Sequence, residues 1–311
     1  RARRSFHCCA SRAGAAPTRC CALGAMVSEA KLRGPLEAFA FEEEPTEFSP
    51  LYLQEPARNT AACNAGDYFL YLGGGSINGA FGKLISSEHG LEMNTDFHPR
   101  KHPVQMEYRE LHLLLLKASR ERGGALVVAS ELPQATGLLQ SVCLADSFCV
   151  AGEACEDEDP LYASAVGSAF LDVYDEPKRL LHERNVAMLY VVGPKGEGSK
   201  SGQGPLFPID KFFSSVERLA RNSLQLVADY NTRYAAASGG RLPFVEEIRW
   251  CLVSGGVYKP PDAAKEDVAR ATLEGMIAVE DRPLVVFTYD EDCFRIAFQA
   301  LAPTATPQQD Q

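Results

Sequence analysis

The stretch Asn64-Ala65-Gly66-Asp67-Tyr68-Phe69-Leu70-Tyr71-Leu72-Gly73-Gly74-Gly75-Ser76-Ile77-Asn78-Gly79-Ala80 decides how this chain reads. The apolar run Asp67–Leu72 predicts a short strand, three glycines follow it, and a helical pattern begins after them. Glycines between a strand and a helix let successive backbone N–H groups point into one concavity, which binds phosphate without any basic side chain. A second stretch, Cys251-Leu252-Val253-Ser254-Gly255-Gly256-Val257-Tyr258-Lys259-Pro260-Pro261, repeats the order strand, glycines, helix. Two such loops at the carboxyl ends of strands would face each other across a crevice, the usual ligand position in open α/β sheets. Tight turns with no ligand are the competing reading for either loop alone.

Outward from these loops, short apolar runs alternate with amphipathic helical stretches. Strands are predicted at Ala125–Val128, Asn185–Val192, Glu247–Val253 and Pro283–Tyr289. Helices are predicted at Tyr108–Arg120, Ile209–Tyr234, Asp262–Ile277 and Glu291–Leu301. This alternation argues a three-layer α/β/α sandwich with a mixed, largely parallel central sheet. Residues 50–302 read as a single domain. The stretch 134–184, with its acidic run Glu153–Asp159, fits the alternation poorly and reads as an insertion. Residues 303–311 lack apolar periodicity and read as a loose tail. No internal repeat is visible.

The chain has 311 residues, 46% of them hydrophobic, and a net charge of −10, which excludes an intrinsically disordered chain. Its longest apolar runs, Leu113–Leu116 and Ala187–Gly193, fall far short of the roughly 18 residues that a membrane span needs. The charge is unevenly placed. Residues 1–28 hold five Arg and no acid, and read as a leader: an organelle transit segment, or translated upstream sequence with Met26 as the initiator. The remaining 26 basic and 41 acidic residues give the body −15. Such a body disfavours non-specific nucleic-acid binding, and leaves an anionic ligand to be held largely by backbone amides.

Of the ten cysteines, Cys8, Cys9, Cys20 and Cys21 lie in the leader. The other six, at 63, 143, 149, 155, 251 and 293, are dispersed with no CxxC pair, which reads as free thiols in a reducing intracellular compartment. No metal site and no cofactor are expected. Two motif readings fail on spacing. Gly73-x-Gly75-x-x-x-Gly79 is one residue off the GxGxxG fingerprint and lacks its acidic ribose partner. In Gly193-Pro194-Lys195-Gly196-Glu197-Gly198-Ser199-Lys200-Ser201 the lysine is displaced by one from a Walker A loop, and the stretch reads as surface.

Together the motifs resemble the macrodomain family of ADP-ribose-binding modules and ADP-ribosyl hydrolases. Asn64-Ala65-Gly66-Asp67, Gly73–Gly75 and Ile77-Asn78-Gly79-Ala80 stand where that family has Asn-Ala-Ala-Asn, a glycine run and a Val-Asp-Gly-Ala-like tetrapeptide. Gly124–Pro133, Asn185–Pro194, Ser254–Tyr258 and Val285–Asp290 are similar to its later strands and loops, in the same order. The resemblance implies that Asn64, Asp67, Gly73, Gly74, Gly75, Ser76 and Ile77 line one side of the ligand, the last five offering amides to a diphosphate. Ser254, Gly255, Gly256, Val257 and Tyr258 would close the other side, with Tyr258 near the distal ribose and Tyr289 stacked on adenine. Glu55 is the nearest counterpart of the family's adenine-reading acid. The implied partner is ADP-ribose or an ADP-ribosylated protein.

Binding and hydrolysis, the latter removing ADP-ribose or a phosphate or acyl group from an ADP-ribosylated substrate, both stay open at this point. Hydrolysis needs a water polarised on the correct face of the sugar. Asp67 and Asn78 are the candidates, although they reverse the Asn-then-Asp order of many hydrolysing members. The paired glutamates of the poly(ADP-ribose) glycohydrolases are absent. His98 and His102 read as surface-loop residues, His112 as a partly buried helix residue, and Ser254 has no evident His/Asp pair.

Overall fold

The computed structural model describes residues 39–41, 56–72, 76–88, 103–152, 165–176, 182–200, 205–288 and 290–301. The leader 1–28, the tail 303–311, Glu55, Gly73–Gly75, His98, His102, Glu153–Asp159, Cys155 and Tyr289 lie outside the described residues.

Eight strands form one sheet: β1 (Phe39–Phe41), β2 (Thr60–Gly66), β3 (Val127–Val128), β4 (Leu144–Val150), β5 (Ala169–Tyr174), β6 (Asn185–Val192), β9 (Glu247–Trp250) and β10 (Leu284–Phe287). Their order is β1-β10-β9-β2-β6-β5-β4-β3. From β1 to β6 every pairing is parallel, and from β6 to β3 every pairing is antiparallel. Two further short strands, β7 (Lys195–Gly196) and β8 (Leu206–Phe207), pair with each other beside it.

Register divides the sheet into two faces. Cys63, Leu189, Leu171 and Phe148 lie side by side across β2, β6, β5 and β4. They face α4 (Ile209–Asp229), and the Phe148 ring meets Tyr230 and Tyr234 just beyond that helix at 4.9 and 5.0 Å. On the same side Phe287 stacks at 4.0 Å on Phe294 of α6 (Glu291–Leu301), which packs beside α5 (Lys265–Ile277). Asn64, Tyr190 and Phe170 alternate to the opposite face, beneath α1 (Ser76–Glu88) and α2 (Pro103–Glu121). A strand covered on both faces has no polar side to show, and β5 and β6 are buried throughout. The three-layer sandwich with a mixed sheet follows.

Several boundaries differ from the sequence expectation. Asp67–Leu72 is not a strand. The strand is Thr60–Gly66, built from small buried residues, and the chain turns directly after it. The predicted strands ending at Val253 and Tyr289 stop at Trp250 and Phe287. The helix expected to reach Tyr234 passes at Tyr230 into a wider turn, where Asn231 exchanges two hydrogen bonds with Val245. The stretch 134–184, read as an insertion, contributes to the central sheet. This stretch supplies α3 (Thr136–Ser141), β4 and β5, so two strands of the central sheet lie inside the supposed insertion. They pair antiparallel, which removed them from the parallel pattern the sequence was read against.

His112 also departs from its partly buried reading. It is fully buried on α2, 3.0 Å from Asp172 Oδ2 and stacked on Phe170 at 4.3 Å. Ser147 Oγ donates to the same carboxylate at 2.5 Å. Among the described residues, no helix is long and apolar enough to cross a membrane. The five described cysteines, 63, 143, 149, 251 and 293, are free thiols.

Breaking one side of a buried pair leaves its partner desolvated, which costs about 3–5 kcal/mol. His112→Ala is therefore expected to lower the thermal midpoint by roughly 2–4 °C for each kcal/mol lost. Calorimetric melting checks this, and an unchanged midpoint would remove Asp172–His112 from the interactions that hold the core.

Candidate functional site

The carboxyl ends of β2, β6, β9 and β10 point to one edge of the sheet, and the loops leaving the first three converge there. After β2 the chain turns over Asp67–Leu70, with the Leu70 N–H donating to Asp67 O at 3.1 Å and Leu70 at φ 63°. Tyr190 of β6 packs against the end of β2. A Cβ on Gly66 would lie 2.0 Å from the Tyr190 ring, so the ring occupies the space above that residue. The Tyr190 hydroxyl accepts from the Asp67 N–H at 3.2 Å and lies within donating distance of the Asp67 and Tyr71 carbonyls, at 3.2 and 3.3 Å. Arg109 of α2 holds the same loop, donating to Phe69 O at 3.0 Å with its guanidinium 4.7 Å from the Tyr71 ring.

Asn64 and Asn78 lie beneath this loop. Asn78 Nδ2 donates to Tyr71 O at 2.8 Å, which turns its Oδ1 to accept from Asn64 Nδ2 at 3.1 Å. Both side chains are buried, and their amides tie β2 to α1 and to the loop between them. Ser76 and Ile77 open α1, where first-turn N–H groups have no carbonyl of their own helix to bond. The Ile77 side chain itself is buried in the core.

The loops after β6 and β9 are stitched together. A Cβ on Gly193 would meet Ser254 Oγ at 2.1 Å, so only glycine permits this approach. Ser254 Oγ donates to Pro194 O at 2.8 Å, and the Gly196 N–H donates to Tyr258 O at 2.8 Å. Ser254 sits at φ 63°, in the left-handed region that an L-residue enters at a cost. Beyond it, Gly256 faces open space and Val257 is exposed.

Lys195 stands where the three loops meet. Its Nζ lies 4.2 Å from the Tyr68 ring centroid and 4.7 Å from that of Tyr258, and the residue is only 4% exposed. Burial pushes the Asp67 carboxyl up to about 6, against the pull of the Tyr71, Phe69 and Leu70 amides and of the Lys195 ammonium. Burial and the nearby Asp67 likewise push the Tyr258 hydroxyl up to about 12. Asp67 and Tyr258, expected on opposite sides of one site, are thus close enough to feel each other's charge. A carboxyl pushed towards neutrality at the end of a sheet, beside a buried cation and two tyrosines, makes this edge the candidate site.

Of the sequence candidates, the fold brings Asp67 and the Ser254–Tyr258 loop together, with the α1 N-terminus following the Asp67 loop. Asn64 and Asn78 it places below, facing each other. Tyr68, Tyr190 and Lys195 were missed. The stretch read as surface, 193–201, is buried over Gly193–Gly196. The available signal was the Val-Gly-Pro end of an apolar strand, which makes the next side chain a neighbour of any ligand at that edge. Among the described residues there is no group of three or more His, Cys, Asp or Glu side chains able to hold a metal ion.

Strand-ending loops gathered at one edge of a mixed sheet define an α/β protein with its candidate site at the carboxyl edge. A family model for the mitochondrial association factor 1 C-terminal domain matches residues 31–292, and the chain belongs to that family. It is 30% identical over 266 residues to the DNA/RNA-binding protein ALBA4 of Plasmodium falciparum, and 29% identical to that of Plasmodium yoelii yoelii. Each alignment covers 83% of this chain and 64% of the relative, so the chain spans about 64% of the length of the curated relatives it matches. Among solved structures it is similar to the Oceanobacillus iheyensis macrodomain with ADP, at 15% identity and a TM-score of 0.39, covering 80% of this chain and 87% of that one. A Trypanosoma brucei macrodomain matches at 14% identity and a TM-score of 0.39, covering 86% and 68%.

The raised Asp67 carboxyl carries a stability consequence of definite sign. The folded chain holds this proton more tightly than the unfolded chain. The stabilisation is therefore complete below the unfolded value near 3.8 and is lost as pH rises through about 6. Ionised Asp67 then costs about 1–2 kcal/mol after allowing for its partial contact with water. At pH 7.5 Asp67→Asn is expected to be more stable than the native chain by about that amount. The advantage should shrink below pH 6 and vanish near pH 4. Urea unfolding across that range measures it, and a constant difference would show that Asp67 is not the titrating group.

Proposed function

We propose that this protein binds ADP-ribose, or ADP-ribose carried on another protein, at the edge formed by the loops after β2, β6 and β9. In this reading the amides of Gly73–Ile77 and of Ser254–Tyr258 take the diphosphate from two sides. Tyr258 packs near the distal ribose, and Tyr289 stacks on adenine. Asp67 accepts from the ribose hydroxyls.

The observation that carries the reading is the convergence at Lys195. One ammonium touches a ring from the β2 loop and a ring from the β9 loop, so the two stretches that resemble the macrodomain motifs lie on one site. A body with a net charge of −15 would repel a diphosphate from most of its surface. Fixed amides at a helix N-terminus with a cation between the loops supply the local exception.

A second reading, removal of ADP-ribose from a modified protein, is favoured by one feature: the Asp67 carboxyl. A group that titrates at about 6 can take a proton from water near neutral pH, as a general base must. In that reading Asn78 acts at a distance, by holding the loop that carries Asp67. The name of the Plasmodium relatives adds nucleic acid as a ligand to be tried alongside.

Calorimetry with ADP-ribose and with a single-stranded RNA oligonucleotide, beside a release assay on mono-ADP-ribosylated protein, separates these readings. Micromolar ADP-ribose binding with no release over hours would leave the binding module and remove the hydrolase. Gly256→Glu sharpens the test, because a side chain there meets nothing within 4 Å. The variant is expected to fold with stability within about 0.5 kcal/mol of native. It should lose ADP-ribose affinity at least about tenfold, since the new carboxylate opposes the diphosphate. Unchanged affinity would remove the β9 loop from the site.

A further inference from the structure

We infer that the Tyr190 hydroxyl is the positioning group that presets the Asp67–Leu72 loop for the distal ribose, and so sets the preference of the site for ADP-ribose over ADP. The inference rests on the ADP-ribose reading for the identity of the ligand, and goes beyond it in naming what fixes the loop that meets the sugar.

Tyr190 is fully buried in β6. Its ring fills the space above Gly66, lies 5.0 Å from the His112 ring of α2 and 6.0 Å from the Phe170 ring of β5. A ring packed in this way delivers its hydroxyl to one place, the inside of the loop. There the oxygen lies 3.2 Å from the Asp67 nitrogen, 3.2 Å from Asp67 O and 3.3 Å from Tyr71 O. It accepts from the N–H, and its single proton goes to one of the two carbonyls. One buried oxygen thus bridges residues 67 and 71, the two ends of the turn.

The turn needs such a tie. Leu70 stands at φ 63°, a region that a residue other than glycine holds only where its surroundings impose it. A loop released at its ends would relax away from that form. Asn78 Nδ2 donating to Tyr71 O at 2.8 Å and Arg109 donating to Phe69 O at 3.0 Å oppose the relaxation from outside the turn. The Asp67 carboxylate closes it from within, Oδ1 accepting from the Tyr71 N–H at 3.4 Å, yet this is also the group that takes the ribose hydroxyls in the ADP-ribose reading. The Tyr190 hydroxyl ties the same two residues without drawing on that carboxylate. A ligand that must first order its loop loses affinity in proportion to the fraction of chains not yet ordered. ADP carries the adenine and the diphosphate but no distal ribose, so release of the loop is felt by ADP-ribose alone.

Titration calorimetry with ADP-ribose and ADP tests this on the native full chain, Tyr190→Phe, Asp67→Ala and the double variant, with thermal melting as the folding control. Phenylalanine keeps the ring contacts and removes only the hydroxyl. Tyr190→Phe is expected to bind ADP-ribose about 5- to 20-fold more weakly, and ADP within about twofold of native. In the Asp67→Ala background the same substitution should cost no further ADP-ribose affinity, because the loop then has no carboxylate to place. Hydrogen exchange on the native chain gives a readout that needs no variant: the Asp67 amide should exchange slowly before any ligand is added. Rapid exchange there overturns the inference. So does equal weakening of ADP and ADP-ribose in Tyr190→Phe, no weakening at all, or an additive loss in the double variant. Each of these results leaves the ADP-ribose reading standing while the native chain binds ADP-ribose. A native chain that binds ADP-ribose no better than ADP overturns this inference alone, and one that binds neither overturns both.

Discussion

The contact between the Tyr190 ring and Gly66 is the constraint on which the candidate site depends. Because the ring fills the space where a Cβ would lie, only glycine fits at the end of β2, and the Tyr190 hydroxyl takes the Asp67 N–H that a longer strand would have used. The turn that follows carries Asp67, Tyr68 and Tyr71 across the edge of the sheet towards the β6 and β9 loops. Asn64 and Asn78 secure the loop from below and Arg109 secures it from the side. One aromatic side chain buried in β6 thus holds the loop that carries a carboxylate just after β2.

Charge is distributed against stability at this edge. The molecule carries a net negative charge, yet one of its buried cations, Lys195, lies between two tyrosine rings. The nearby acid is kept in an environment that favours its neutral form. Elsewhere in the core a buried carboxyl is hydrogen-bonded through both oxygens, as Asp172 is by His112 and Ser147. At the same edge as Lys195, Ser254 combines a left-handed backbone with a hydrogen bond to Pro194 O.

Much of this was legible in the residues. Asn185–Val192 and Glu291–Leu301 stand where apolar runs and helical spacing place them. The two glycine-bearing loops do leave neighbouring strands of one sheet. What failed did so for identifiable reasons. Asp67–Leu72 alternates as a strand should, but the ring that packs against the end of β2 is 123 residues away in sequence. The 134–184 stretch was set apart by its acidity, while its two strands pair antiparallel and so break the βα alternation. Lys195 sits among Gly and Ser residues that read as surface. Only the placement of β6 next to β2 shows that its side chain enters the site.

The sheet order also bears on how the molecule is assembled. Strands β3, β4, β5 and β6 come from one continuous stretch and pair as neighbours, whereas Thr60 of β2 must find Glu247 of β9, 187 residues away. Loop-closure entropy favours the near partners, so the antiparallel half is expected to organise first, with the parallel half docking onto β6 afterwards. Amide protection during refolding would show this sequence of events, and simultaneous protection of both halves would rule it out. On that order the edge where the β2, β6 and β9 loops meet, which lies along the seam, is completed last, and in a nascent chain those loops cannot come together before β9 has emerged.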